Sequence, residues 1–355
     1  MMQNVSFAFE NYTNASSALQ RVTFSYEEKL AIWICYTIVT LIGIISNGFV
    51  FYLIISNRKL RTIVNLLILN LAISDIIACL SMYPFIYIDI AETRVRGTRA
   101  NLLCGFTDGL FGFFAAAAVS FITLSLLSIT RYLSINHPLK VTWRLKFHHM
   151  KWVFGLTWAL SLGLVIPNVL SFKYNENFKL CTRKWASGVS PLVYFTFTVI
   201  LGVLFPLSSL LFTYFASLYT LCFKGRLSKI SIASNKSSKV KQKALIWLGV
   251  LVLVYLICWS PFVMYWFFSV VIRKYSVNNY EDVRKAIRLT RLTLFFAASN
   301  SALNPIIYAY KSRQLRSAFK LLIGLRVRAI SNSTTRSTYP LLNKQQTLEI
   351  SSECS

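Results

Sequence analysis

The sequence predicts an all-α membrane protein, a bundle of seven transmembrane helices followed by a short amphipathic eighth helix. Three observations carry this. Of 355 residues, 55% are hydrophobic and only 14% charged, against about 25% charged in a typical soluble domain. Apolar runs near or above the roughly 20 residues that cross a bilayer recur at seven places. The connections between those runs sort into a strongly basic and a weakly basic set. The runs must be helical, because lipid leaves a backbone no partner except in a helix or a closed barrel. They are too long and too evenly apolar for barrel strands.

The spans fall at about 30–55, 63–90, 102–134, 150–172, 190–223, 243–272 and 286–310. An odd number of crossings puts the termini on opposite sides. Span 1 starts too late and runs too long for a cleavable signal peptide, and is expected to act as its own insertion signal. Asn4-Val5-Ser6, Asn11-Tyr12-Thr13 and Asn14-Ala15-Ser16 are glycosylation acceptors ahead of it. Residues 1–29 thus form an extracellular glycosylated N-terminus, and 30–310 the bundle. Lys311, Arg313, Arg316 and Lys320 interleave with Leu315, Phe319, Leu321 and Leu322. That pattern predicts an amphipathic helix at 311–323 lying along membrane lipid. Residues 324–355 are polar and read as a disordered cytoplasmic tail. No internal repeat supports a transporter.

Charge sets the orientation. Lys and Arg number 38 against 12 Asp and Glu, a net of +26. Nucleic-acid binding would need a soluble basic face, whereas these residues sit between apolar runs, so no nucleic acid is expected as a partner. The stretch after span 1, the 3–4 and 5–6 connections and the tail hold 23 Lys and Arg, for a net of +21. The opposite side holds 15, for a net of +6, and Asp75 supplies the remaining −1. The N-terminus is therefore expected outside and the C-terminus inside. Neither CxxC nor HxxxH spacing occurs, which argues against zinc. No phosphate-binding glycine loop of the G-x-x-x-x-G-K-[ST] or GxGxxG type is present.

Polar residues inside spans are expensive and point to function. Asp75 lies mid-span in Leu71-Ala72-Ile73-Ser74-Asp75. Asn47, Ser120, Asn300, Ser301 and Asn304 offer neutral oxygens from other spans. One carboxylate among such oxygens suits a hard monovalent cation. It equally suits an internal hydrogen-bond network that holds the bundle together. Arg131, in Thr130-Arg131-Tyr132 at the end of span 3, is either a functional charge or one that snorkels to the headgroups. Pro206, Pro261 and Pro305 each interrupt a span. Each removes a backbone hydrogen bond and kinks its helix. Trp259 and Tyr308 stand beside two of the kinks, as relay elements or as aromatic core.

Together these residues resemble the rhodopsin-like (class A) G-protein-coupled receptors. Asn47-Gly48, Leu71-Ala72-Ile73-Ser74-Asp75, Arg131-Tyr132 with Pro138-Leu139, Trp158, Pro206 with Tyr214, Cys258-Trp259-Ser260-Pro261 and Asn304-Pro305-Ile306-Ile307-Tyr308 fall in the family's spans and order. The resemblance implies an allosteric Na⁺ site at Asp75, Ser120, Asn300, Ser301 and Asn304, and otherwise no cofactor. It implies G-protein coupling through Arg131, Tyr132, Pro138 and Leu139. It implies an activation relay of Trp259, Pro261, Asn304, Pro305, Tyr308, Tyr214 and Pro206, and a disulfide between Cys104 and Cys181. Arrestin and a receptor kinase follow as partners, the kinase acting on the Ser331–Thr338 cluster.

Departures from the pattern are informative. Thr130 replaces the acid expected before Arg131, and Lys241 stands where some members place a second acid. The inactive state is therefore expected to be weakly restrained. Cys104 precedes Arg131 by 27 residues, two more than the family pattern, which puts the disulfide geometry in question. Phe113 stands where amine receptors carry an aspartate, and Ala298 where opsins carry the retinal lysine. Neither an amine nor retinal is expected. The resemblance places Phe113, Phe262, Tyr265 and Trp266 around the ligand pocket. Lys285, Arg288 and Arg291 recur on one face of span 7, and Lys173, Lys179, Arg183 and Lys184 flank Cys181. They read either as solvated and interfacial charge or as a mouth for an anionic group.

The resulting expectation is a plasma-membrane receptor, not an enzyme. It passes binding of an extracellular ligand, a peptide or another molecule with an anionic group, to a heterotrimeric G protein. Opsin-like but non-retinal signalling, or a constitutively active orphan receptor, is the alternative. A seven-helix transporter is the more distant one.

Overall fold

The computed structural model describes residues 25–87, 95–137, 140, 145–175, 180–187, 190–220, 234–269 and 280–311. The glycosylation acceptors, Pro138, Leu139 and the segments 312–323 and 324–355 lie outside the described residues. Tyr308 and the residues after it are described for their backbone alone.

Ser25 starts the first helix, α1 (Tyr26–Ser56), with a reciprocal cap: its Oγ accepts the Glu28 N–H at 3.2 Å, and Glu28 Oε2 accepts the Ser25 N–H at 3.1 Å. Helix α2 (Ile63–Tyr87) follows a single 3₁₀ turn, Arg58–Leu60, begun by the Asn57 side chain accepting the Lys59 N–H. Span 3 is two helices, α3 (Gly97–Thr107) and α4 (Phe111–Asn136). Between them the Gly109 N–H reaches back five residues to the Cys104 carbonyl at 3.0 Å, and Leu110 adopts a left-handed φ of 49°. One uninterrupted helix over 102–134 was the expectation. The break supplies the slack for the two-residue excess between Cys104 and Arg131.

Helix α5 (Met150–Leu170) leads into a hairpin that hydropathy does not reveal, β1 (Phe172–Asn175) paired antiparallel with β2 (Leu180–Arg183). Phe172 faces Arg183 and Tyr174 faces Cys181 in the register. A disulfide joins Cys181 to Cys104 of α3, with Cα atoms 5.5 Å apart. Span 5 is α6 (Pro191–Val199), a π-helical turn at Ile200–Leu204 and α7 (Phe205–Tyr219). The wider turn sits just before Pro206, whose missing N–H interrupts the regular ladder. Helices α8 (Ser234–Phe267) and α9 (Tyr280–Lys311) carry Pro261 and Pro305.

Solvent preference is inverted relative to a soluble protein. Leu156, Leu160, Phe212, Phe215, Leu253 and Ile257 turn outward, while Asn47, Asn70, Asp75, Ser120, Asn300 and Asn304 are buried. Lipid as solvent accounts for both halves of that pattern. Among the described residues, six helical stretches are long and apolar enough to span a bilayer. The last described helix, α9, is 32 residues long but more polar, with Lys285, Arg288 and Arg291 near its start and Ser299, Asn300, Ser301 and Asn304 within it. Side-chain bonds tie it in: Tyr36 of α1 donates to the Arg291 carbonyl at 2.7 Å, and Asn47 to the Ser301 carbonyl at 2.9 Å. Helix α4 runs through the middle, touching α2, α5, α7 and α8.

Candidate functional site

At the hairpin end the helices enclose a cavity of about 220 Å³. Trp259 and Phe121 form its inner end. Their rings meet edge to face at 4.8 Å, and Tyr255 packs on Phe121 at 4.6 Å. Phe114, Phe195, Phe262, Tyr265 and Trp266 make the walls, and Phe172 and Arg183 of the hairpin close the outer side. The Trp259 Nε1–H and the Tyr255 hydroxyl are both buried without a partner among the described residues.

Three expected pocket residues stand elsewhere. Phe114, Ala117, Ala118 and Phe121 of α4 repeat at helical spacing along the cavity. Phe113 is one position off that face and lies buried in the bundle, its ring stacked at 5.9 Å on Trp259. Arg288 pairs with Glu28 of α1, and the Arg291 guanidinium lies 5.9 Å from the ring of Phe85 on α2. Thr290 and Leu294 are the α9 residues that meet the cavity.

Arg183 does reach it. Alternation along β2 puts Arg183 on the same face as Cys181, and the disulfide turns that face into the bundle. The Arg183 side chain donates to Asn168 Oδ1 at 3.0 Å. Its guanidinium lies 4.7 Å from the Phe172 ring and 4.8 Å from the Phe195 ring. Burial lowers its pKa to about 10, which leaves it a cation at neutral pH. In turn Asn168 donates to the Gly109 carbonyl at 2.9 Å, so the helix break and the hairpin share one network. In the sequence, Arg183 is one of several basic neighbours of Cys181. Strand alternation from the cysteine was the signal that could have singled it out.

Deeper in the bundle, Asp75 is fully buried. Its Oδ1 accepts from the Ser120 hydroxyl at 3.3 Å and its Oδ2 from the Asn304 amide at 2.9 Å. Ser74 and Ser120 share a hydrogen bond at 2.8 Å. Asn300 and Ser301 are buried on the same helix as Asn304. Asn47 Oδ1 is a buried acceptor without a partner among the described residues. A buried carboxylate with a hydroxyl and a carboxamide beside it fits a small cation with water. The same bonds fasten α2 to α4 and α9. A second network runs from Trp158 to Asn70 at 3.1 Å and from Asn70 to Thr123 at 2.9 Å, joining α5, α2 and α4.

Arg131 is half-buried at the far end of α4. The Thr130 hydroxyl turns back on its own helix, donating to the Leu127 carbonyl at 2.7 Å. Tyr132 lies beside His137 and Phe212. The Tyr214 ring rests against Gly249 of α8, where a Cβ would fall 2.9 Å from the Tyr214 Cε2. Pro206 offers its carbonyl to the Ser125 hydroxyl at 3.2 Å, and Ser128 bonds Thr213, two ties between α4 and α7.

Comparison with known proteins agrees with this architecture. The family model described as "7 transmembrane receptor (rhodopsin family)" matches residues 46–308. A QRFP-like peptide receptor of Branchiostoma floridae is 25% identical over 315 residues, 85% of this chain and 80% of that protein. Somatostatin receptor type 2 of Sus scrofa is 28% identical over 336 residues, 91% and 84% of the two chains. The crystal structure of squid rhodopsin superposes with a TM-score of 0.67 at 20% identity, covering 86% of this chain and 88% of that one, a likeness of fold. With the family model spanning most of its length and its bundle, disulfide and polar core in place, this chain belongs to the rhodopsin family of seven-transmembrane, G-protein-coupled receptors.

Proposed function

We propose that this receptor sits in the plasma membrane with its N-terminus outside, binds a peptide in the cavity behind the hairpin, and activates a heterotrimeric G protein through Arg131. The observation that carries the reading is the cavity itself. It is aromatic, held under a disulfide-anchored hairpin, and ends on Trp259, two residues from the Pro261 kink. A ligand reaching Trp259 acts directly on the element able to bend. That is the differential contact a population shift requires. The peptide assignment draws on a relative named as a peptide receptor and on the basic residues near the hairpin. Orientation rests on the Lys and Arg asymmetry and on the acceptors Asn4, Asn11 and Asn14. The Asp75 pocket serves as an Na⁺ site that favours the resting state. Phosphorylation of the tail at Ser331–Thr338 by a receptor kinase would recruit arrestin by added negative charge.

Guanine-nucleotide exchange on purified heterotrimers, with a peptide library added to membranes holding the full chain, tests this. At least one peptide should raise exchange in the wild type and fail to do so in Arg131→Ala. Equal exchange in the two proteins with every peptide would overturn the proposal.

A further inference from the structure

Among the described residues, Arg183 is the one basic side chain on the cavity wall. Its guanidinium has aromatic faces on two sides, Phe172 and Phe195, and one neutral acceptor, Asn168 Oδ1. Its Nε is sealed from solvent and has no hydrogen-bond partner among the described residues. Asp108 lines the same cavity, yet among the described residues Arg183 forms no ion pair. A half-buried cation without an ion pair is costly to the fold, and a ligand anion removes part of that cost. Rings on both sides hold the guanidinium fork in place before a ligand arrives.

Taking the cavity to be the ligand site, as argued above, we propose that Arg183 is the counter-ion for a carboxylate on the ligand, set beside an aromatic or apolar group that fills the pocket between Phe114, Phe262 and Trp266. The Nη–H groups of the guanidinium supply charge-assisted donors that a carboxylate accepts. Arg288 and Arg291, which face α1 and α2, take no part. A peptide C-terminus and a small free acid both supply this chemistry.

Thermal unfolding of the purified full chain in detergent separates the possibilities. N-acetylphenylalanine as the free acid is compared with N-acetylphenylalaninamide. The acid should raise the wild-type Tm by about 2–4 °C at ten times its Kd, and the amide by much less. Arg183→Gln should erase the difference, and Arg183→Lys, which keeps the charge, should keep part of it. Equal shifts from acid and amide in the wild type would overturn the proposal, as would an acid preference that survives in Arg183→Gln. A third probe, N-acetylglycylglycylphenylalanine, tells the two sources apart. If it stabilises no more than N-acetylphenylalanine, the peptide reading fails while the role of Arg183 stands. If tripeptide acid and tripeptide amide stabilise equally well, the peptide reading stands and the carboxylate site fails.

Discussion

In the function proposed above, two single residues set the resting state. Asp75 is buried and accepts hydrogen bonds from Ser120 and Asn304. With Na⁺ bound there, wild-type protein in sodium chloride should be more stable than in N-methylglucamine chloride, by about 1.4 kcal/mol at ten times the Kd. Asp75→Asn should unfold at one temperature in both salts. A sodium effect retained by that variant would rule out the site. Thr130 is the second. Its hydroxyl is spent on the Leu127 carbonyl and gives Arg131 no charge to hold. Thr130→Asp restores an adjacent acid, worth about 1 kcal/mol in a half-exposed setting. Agonist-free nucleotide exchange should then fall about five-fold. Wild type and variant equally silent would show that basal restraint lies elsewhere.

At the scale of elements, the broken third span governs the cavity. Gly109 permits the break: a Cβ there would lie 2.2 Å from the Gly105 carbonyl oxygen, a backbone atom that cannot swing away. Gly109→Ala should therefore destabilise the protein by about 1–3 kcal/mol in thermal unfolding. Gly163→Ala in α5, where a Cβ meets nothing within 4 Å, is the matched control and should be neutral or slightly stabilising. If both behave alike, the break tolerates a side chain and does not depend on glycine. Sequence periodicity ran α3 and α4 together because both halves are apolar. The break comes from one left-handed residue, Leu110, and leucine is no signal for that conformation. The hairpin was hidden for a related reason. Its strands are four residues each, too short for an alternation to register, and they are held by a covalent bond and by the helix ends.

Over the whole molecule, the disulfide is the covalent constraint on the cavity among the described residues. It links residues 77 apart and fixes the strand that carries Arg183. Cys104→Ser/Cys181→Ser should lower stability by about 2–4 kcal/mol. It should also abolish the preference of the wild type for the acid over the amide, since Arg183 loses its support. A variant that is destabilised but keeps this selectivity would show that the aromatic contacts alone position the guanidinium.

The sequence by itself determined the class of solvent, the number of crossings, the order of the polar landmarks and the pairing of Cys104 with Cys181 once the resemblance was noticed. Those properties follow from transfer energetics and local spacing, which are additive along the chain. Tertiary structure alone decided which side of each helix meets the cavity. That choice turned Phe113 inward, paired Arg288 with Glu28, and brought Arg183 from a loop to the cavity wall. A helix face is selected by what packs against it, and the partners here come from distant segments: α1 against α9, and a disulfide-held strand against α5 and α6. No window of sequence contains both sides of such a contact.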